Sequence, residues 1–236
     1  MRLRRLVALL CICLILSGCQ APWNTGGHSE LYLDGVSTED VIYYFKEVCL
    51  SGEFAESSNI GHVHKWAQPI RYIITGYPTP EDLAVIEAFT QQLNSIDGFP
   101  GIIRTEPTET YQLEIDFCDR DRLEERIGGF TQEHTPDGAV TFRYNEDYHI
   151  ISAIICCRTD LNQTLRNSVI LEEIYNALGP IQDTSVRADS IIYQGNTQPQ
   201  ALTEMDLLIL QLLYHSDMKH GLSASECETV IESLYY

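Results

Sequence analysis

Two rhythms of apolar residues run along the chain, one recurring every three or four positions and one alternating, and together they lay out its elements. A helix is predicted from Ser37-Thr38-Glu39-Asp40, a capping residue with an acid three positions on, and Val41, Phe45 and Val48 form its apolar stripe up to Cys49. After a polar run from Gly52 to Gly61, the stretch Lys65 to Gly76 is predicted as one strand that opens the main domain. Thr79-Pro80-Glu81-Asp82 starts a second helix, with Thr as cap and Pro at the first helical position. Its Leu83, Ile86, Phe89, Leu93 and Ile96 repeat at helical spacing and face a core, and Asp97-Gly98 ends it. Short β-rich runs follow from Phe99 to Arg104 and from Tyr111 to Phe117, then a charged helical turn from Asp119 to Ile127. Two further strands, Ala139 to Tyr144 and Tyr148 to Cys157, are joined by Asn145-Glu146-Asp147, and the apolar run Ile150 to Cys157 marks the second as buried.

The longest helix begins near Asp160 or Asn162, carries Leu165, Val169, Ile170, Ile174 and Leu178, and is stopped by Gly179 and Pro180. A turn-like segment from Asp189 to Gly195 leads to a helix capped at Leu202-Thr203-Glu204-Met205-Asp206 and to a last one starting at Ser223-Ala224-Ser225-Glu226. This order predicts a single α+β domain over residues 37–236, about 170–200 residues around one core. A mixed sheet packs on the long helix and the C-terminal part is helical.

The N-terminus changes the picture of where the domain sits. Arg2, Arg4 and Arg5 precede an apolar run from Leu6 to Leu16 that is too short to span a bilayer permanently. The run closes on Leu16-Ser17-Gly18-Cys19, which resembles the bacterial lipobox. Residues 1–18 then read as a lipoprotein signal peptide, Cys19 as the acylated residue carrying palmitate-class chains, and residues 19–36 as a tether rich in Pro, Asn, Gly and Ser. Gln20 follows the cysteine in place of the Asp that retains lipoproteins at the inner membrane, so the expected location is the outer membrane, facing the periplasm.

Removing residues 1–18 takes three arginines and no acid, which leaves 12 basic against 34 acidic residues and a net charge of −22. So acidic a surface excludes nucleic acid and disfavours bare anionic headgroups. Cys49, Cys118, Cys156, Cys157 and Cys227 remain beyond the lipidated residue; an odd set allows at most two bridges. Cys156 and Cys157 are adjacent in a strand, so they point to opposite faces and serve separate partners.

The stretch from Leu171 to Asp183 carries the candidate chemistry. Its order E-E-x-x-N-x-x-G-x-x-Q-D resembles the metzincin zinc motif H-E-x-x-H-x-x-G-x-x-H-D, with Glu172, Asn176 and Gln182 at the three imidazole positions and with Glu173, Gly179 and Asp183 matching. Ser190-Ile191-Ile192-Tyr193 stands where matrixin-type metzincins have their Met-turn, Ile192 replacing Met and Tyr193 matching. Leu202-Thr203-x-x-Asp206 to Leu213-Tyr214 resembles their closing helix. A closer resemblance covers nearly all of the mature chain, through Lys65-Trp66 to Gly76, Leu171 to Asp183 and Ala201 to Tyr214. It is to a proteobacterial lipoprotein family catalogued as domain of unknown function 2927, which has no established activity. Together these imply a zincin-like fold.

The departures bear on function. One carboxylate and two amides do not hold Zn²⁺ as three imidazoles do, and without the metal Glu173, at the general-base position, has no activated water to serve. Neither a metal nor another cofactor is expected, and no residue is assigned as catalytic; Glu173 is the candidate if the protein is active. Three readings follow. The first is a lipid-anchored, non-catalytic pseudo-peptidase whose cleft binds an envelope protein, peptide or glycan. The second is a metal-dependent hydrolase using Glu172, Glu173 and Asp183 with His62, His64 or His149. The third is a structural lipoprotein without a specific cleft. His62 and His64 form an H-x-H pair with no third ligand nearby in the chain, so they read first as loop histidines.

Overall fold

The computed structural model describes residues 31–51, 61–130, 135–195 and 197–235. The signal segment, Cys19 and most of the expected tether lie outside them. Residues 31–36, also assigned to the tether, are docked: Leu31 bridges Tyr235, and the Tyr235 hydroxyl donates to the Val36 carbonyl at 2.8 Å.

Helix starts fall at the capping residues. Helix α1 (Thr38–Leu50) begins after Ser37, whose hydroxyl accepts from the Asp40 N–H while the Asp40 carboxylate accepts from Ser37. The same reciprocal pairing opens α2 (Pro80–Leu93) with Thr79 and Asp82, and α5 (Glu204–Tyr214) with Thr203 and Asp206. Asp119 caps α3 (Arg120–Ile127), Asn162 caps α4 (Gln163–Asn176), and Ser223 precedes α6 (Ala224–Leu234).

The predicted strand Lys65–Gly76 is two strands, β1 (Lys65–Trp66) and β2 (Ile70–Gly76). The break falls at Ala67-Gln68-Pro69, where proline removes a ladder donor. The two pieces take different neighbours. With β3 (Ile102–Arg104), β4 (Leu113–Cys118), β5 (Gly138–Tyr144) and β6 (His149–Arg158), they form a six-stranded sheet of order β1-β6-β4-β2-β3, with β5 also on β6. Every pairing is parallel except β5 with β6. Ile150 of β6 pairs with both Trp66 and Tyr144, which sets β1 and β5 on opposite sides of β6. Strand β5 is therefore an edge strand: among the described residues its outer side pairs with no other strand. The mixed sheet is present, but helical crossovers make it mostly parallel, so the domain is mixed α/β and not a segregated α+β arrangement.

Successive residues of β6 point to opposite faces. Ile155 and Cys157 enter the main core, which α1, α2, α4 and α5 complete. Cys156 joins a smaller cluster with Cys118 and Leu123 beneath α3. All five thiols in the described residues are free and buried.

Candidate functional site

A groove of about 870 Å³ runs between β5 and α4. One wall is β5 itself, and α4 supplies Leu165, Ser168, Val169, Glu172, Glu173 and Asn176. Close approach of strand to helix depends on Gly138. A Cβ there would meet Val169 Cγ1 at 2.4 Å and Glu173 Oε1 at 2.8 Å.

Past α4 the chain reverses at Gly179, which has φ +130°; a side chain there would strike the His64 carbonyl and Leu213. The reversal returns Ile181 and Asp183 to the groove. Asn176 Nδ2 lies 3.4 Å from Asp183 Oδ1, a weak brace across the turn, and Asn176 Oδ1 is buried without a partner. Gln182 does not line the groove: its N–H donates to the Val48 carbonyl and its side chain to the Asp183 carbonyl. Of the three positions corresponding to imidazole ligands, Glu172 and Asn176 share the groove and Gln182 does not.

The turn at Ser190–Tyr193 is locked from α5. Buried Asp206 accepts from Ser190 Oγ at 2.6 Å, from the Ile191 N–H at 3.2 Å and from Thr203, while Tyr44 donates to Ser190 Oγ at 2.9 Å. Ile192 is thereby fixed in the core, and Tyr193 is placed on the groove wall. Sequence reading marked this turn and α5 separately; the Ser190–Asp206 contact that joins them had no signal along the chain.

The groove's electrostatics are one-sided. Among the described residues no Lys or Arg lines it. Glu173 is only 6 % exposed, and neither Glu172 nor Glu173 hydrogen-bonds to another described residue. Burial, then the nearby charges of Asp183 and Asp137, push the Glu172 carboxyl up to about 8. Burial, then Glu172 and Asp183, hold Glu173 well above the usual carboxylate range. Raised to about 8, Glu172 holds its proton at neutral pH and offers a hydrogen-bond donor as well as an acceptor; Glu173 is shifted in the same direction.

His62 and His64 line the same groove. His64 is buried, stacks on Tyr144 with ring centroids 4.3 Å apart, and is lowered from its ordinary pKa chiefly by burial. His62 Nδ1 and His64 Nε2 are buried without hydrogen-bond partners. His149 is elsewhere, its ring 4.0 Å from that of His220. Of the residues named for a metal-dependent hydrolase, Glu172, Glu173, Asp183, His62 and His64 line the groove and His149 does not. Among the described residues, three potential ligand atoms come within 4.8 Å of one another only at Asp116, Cys118 and Cys156, away from these residues. Gly138, His64 and Tyr144 are groove residues to which the sequence motif gave no pointer.

A family described as a protein of unknown function (DUF2927) has a model that matches residues 38–233. No curated protein matches the chain.

Proposed function

The chain belongs to the DUF2927 family, whose function is unknown, and from that starting point we propose that its groove is a non-catalytic cleft for an extended peptide segment. The observation that carries this reading is that β5, which on its outer side pairs with no other strand among the described residues, forms one wall, while the raised carboxyls of Glu172 and Glu173, with Asn176, form the other. A free strand edge offers backbone donors and acceptors to a second strand, and neutral carboxyls across a narrow groove donate to its carbonyls. The positions that hold imidazoles in the zinc motif carry Glu172, Asn176 and Gln182 here, which favours binding over zinc hydrolysis.

In this reading the fold is zincin-like. The three segments that resemble metzincins, the end of α4, the turn at Ser190–Tyr193 and α5, are joined at Asp206, whose carboxylate accepts from Ser190 and Ile191 and whose carbonyl accepts from the Tyr175 hydroxyl, which supports this reading. In the same reading the domain hangs from an acylated Cys19 on the periplasmic side of the outer membrane, as Gln20 implies, and no described helix is long and apolar enough to cross a membrane. Cys19→Ser should release the protein from the membrane fraction.

The test is selection of binders from displayed random peptides against the full chain in detergent. Expected are peptides whose binding falls at least tenfold in Gly138→Val, which fills the space between β5 and α4, and survives in Glu173→Gln, whose amide still donates. Hydrolysis of a selected peptide that is lost in Glu173→Gln would restore the hydrolase reading. Failure to enrich any peptide would leave the structural lipoprotein.

A further inference from the structure

The second buried cluster of reactive side chains lies beneath α3. In the register of β4 and β6, Asp116 faces Cys156, and Cys118 is two residues further along β4, so all three side chains share one face. One ligand atom from each lies within 4.8 Å of the other two, and all three residues are buried. Asp116 is 0 % exposed, and its Oδ1 has no hydrogen-bond partner. Its Oδ2 accepts from Arg122 Nε at 2.7 Å. Leu123, from the same helix, closes over the thiols.

We propose that Asp116, Cys118 and Cys156 form a metal site of the zinc class, with Asp116 and two thiolates as ligands. Two thiolates and a carboxylate suit a borderline-soft divalent ion, and three protein ligands leave one position of a tetrahedral set. Arg122 on the outer carboxylate oxygen is the kind of contact that orients a metal ligand. The charges also close. Asp116 and Glu114 are already matched by Arg122 and Arg126, which pair with them at 2.7 Å each. Binding a divalent cation releases one proton from each thiol and forms two metal–sulfur bonds, so the buried site gains no net charge.

A disulfide fits this register less well. Cys118 is offset by two residues from the partner of Cys156, which puts the Cα atoms roughly 8 Å apart from strand spacing and rise. Disulfides bridge Cα atoms up to about 7 Å without backbone movement. The metal site would tie the ends of β4 and β6 together and fix α3 above them. It is independent of the groove.

The test starts with the full chain, purified in detergent without added metal or chelator, and with its metal content by mass spectrometry. Chelator-stripped protein is then titrated with Co²⁺ and read for thiolate-to-cobalt charge-transfer absorption. The expected result is one equivalent of zinc and a saturable thiolate–cobalt band. Cys118→Ser and Cys156→Ser should each lose the band, and Asp116→Asn should keep it with affinity lower by about tenfold or more. Cys157→Ser, on the opposite face of β6, should bind as the parent does. A parent protein with no thiolate–cobalt band would overturn the proposal, and that readout needs no variant to fold. So would a band unchanged in both serine variants, or a Cys118–Cys156 disulfide in a non-reduced peptide map.

Discussion

Two groups of buried and half-buried acids sit on opposite sides of strand β6, and the protein treats them differently. Beneath α3, Asp116 and Glu114 are met by Arg122 and Arg126, and charge is matched where it is buried. At the groove, Glu172 and Glu173 sit beside Asp183, and among the described residues no Lys or Arg lines the walls. Asp82 at the foot of α2 follows the first pattern. It is fully buried, with Arg166 Nε 3.1 Å away and Gln163 Nε2 donating at 2.6 Å; the arginine contact is one of charge, its N–H not aligned as a hydrogen bond. Asp206 is likewise saturated by hydroxyls and backbone N–H groups. An acid with partners holds the fold together, whereas an acid buried without them weakens it, and such an arrangement points to binding.

The comparison makes predictions of opposite sign. The largest effect is expected where a matched acid loses its partner. Arg166→Met leaves Asp82 buried and uncompensated and should cost roughly 3–5 kcal/mol in urea unfolding. Gly138→Val overpacks the interface of β5 with α4 and should cost about 1–3 kcal/mol, together with the loss of groove binding. Glu172→Gln should instead stabilise the protein at pH 8, by an amount on the order of 1–2 kcal/mol, since each pKa unit is worth about 1.4 kcal/mol and solvent in the groove screens part of the effect.

That gain depends on pH with a definite sign. Below the ordinary carboxylate range both folded and unfolded chains hold the Glu172 proton, and the site costs nothing. As pH rises, the unfolded chain releases its proton first, and stability falls until the folded carboxyl ionises near about 8. The advantage of Glu172→Gln should therefore vanish by about pH 4 and be complete above about pH 8, as read from unfolding midpoints across that range. A mutant whose advantage is the same at both ends would break the contrast between the two groups of acids. The smallest effect belongs to Ile192→Met, a near volume-conserving swap in the core, expected at under about 1.5 kcal/mol with metal content unchanged.

Much of the fold was legible because its signals are local. Ser37, Thr79, Asn162, Thr203 and Ser223 each set a helix start within a few residues of sequence. The opposite facing of Cys156 and Cys157 followed from strand alternation alone. What escaped was non-local. The split of Lys65–Gly76 reflects where each half finds a neighbour in the sheet, and a run of apolar residues carries no mark of that. The motif placed Glu172, Asn176 and Asp183 at the site but also promised Gln182, which the reversal at Gly179 turns aside to bond Val48. Gly138 and Tyr144 come from another element, and the pairing of β5 with β6 brings them to α4. The closeness of Asp116, Cys118 and Cys156 likewise depends on the register between β4 and β6.

Burial in the groove holds the Glu172 and Glu173 carboxyls above the ordinary glutamate range. Carbon-13 NMR of glutamate side-chain carboxyls, assigned with the Glu172→Gln and Glu173→Gln variants and followed from pH 4 to pH 9, tests it most directly. Glu172 should remain at the protonated position at pH 6 and titrate at about 8, and Glu173 should titrate well above the ordinary glutamate range. Two carboxyls that titrate together in the ordinary glutamate range would contradict the account.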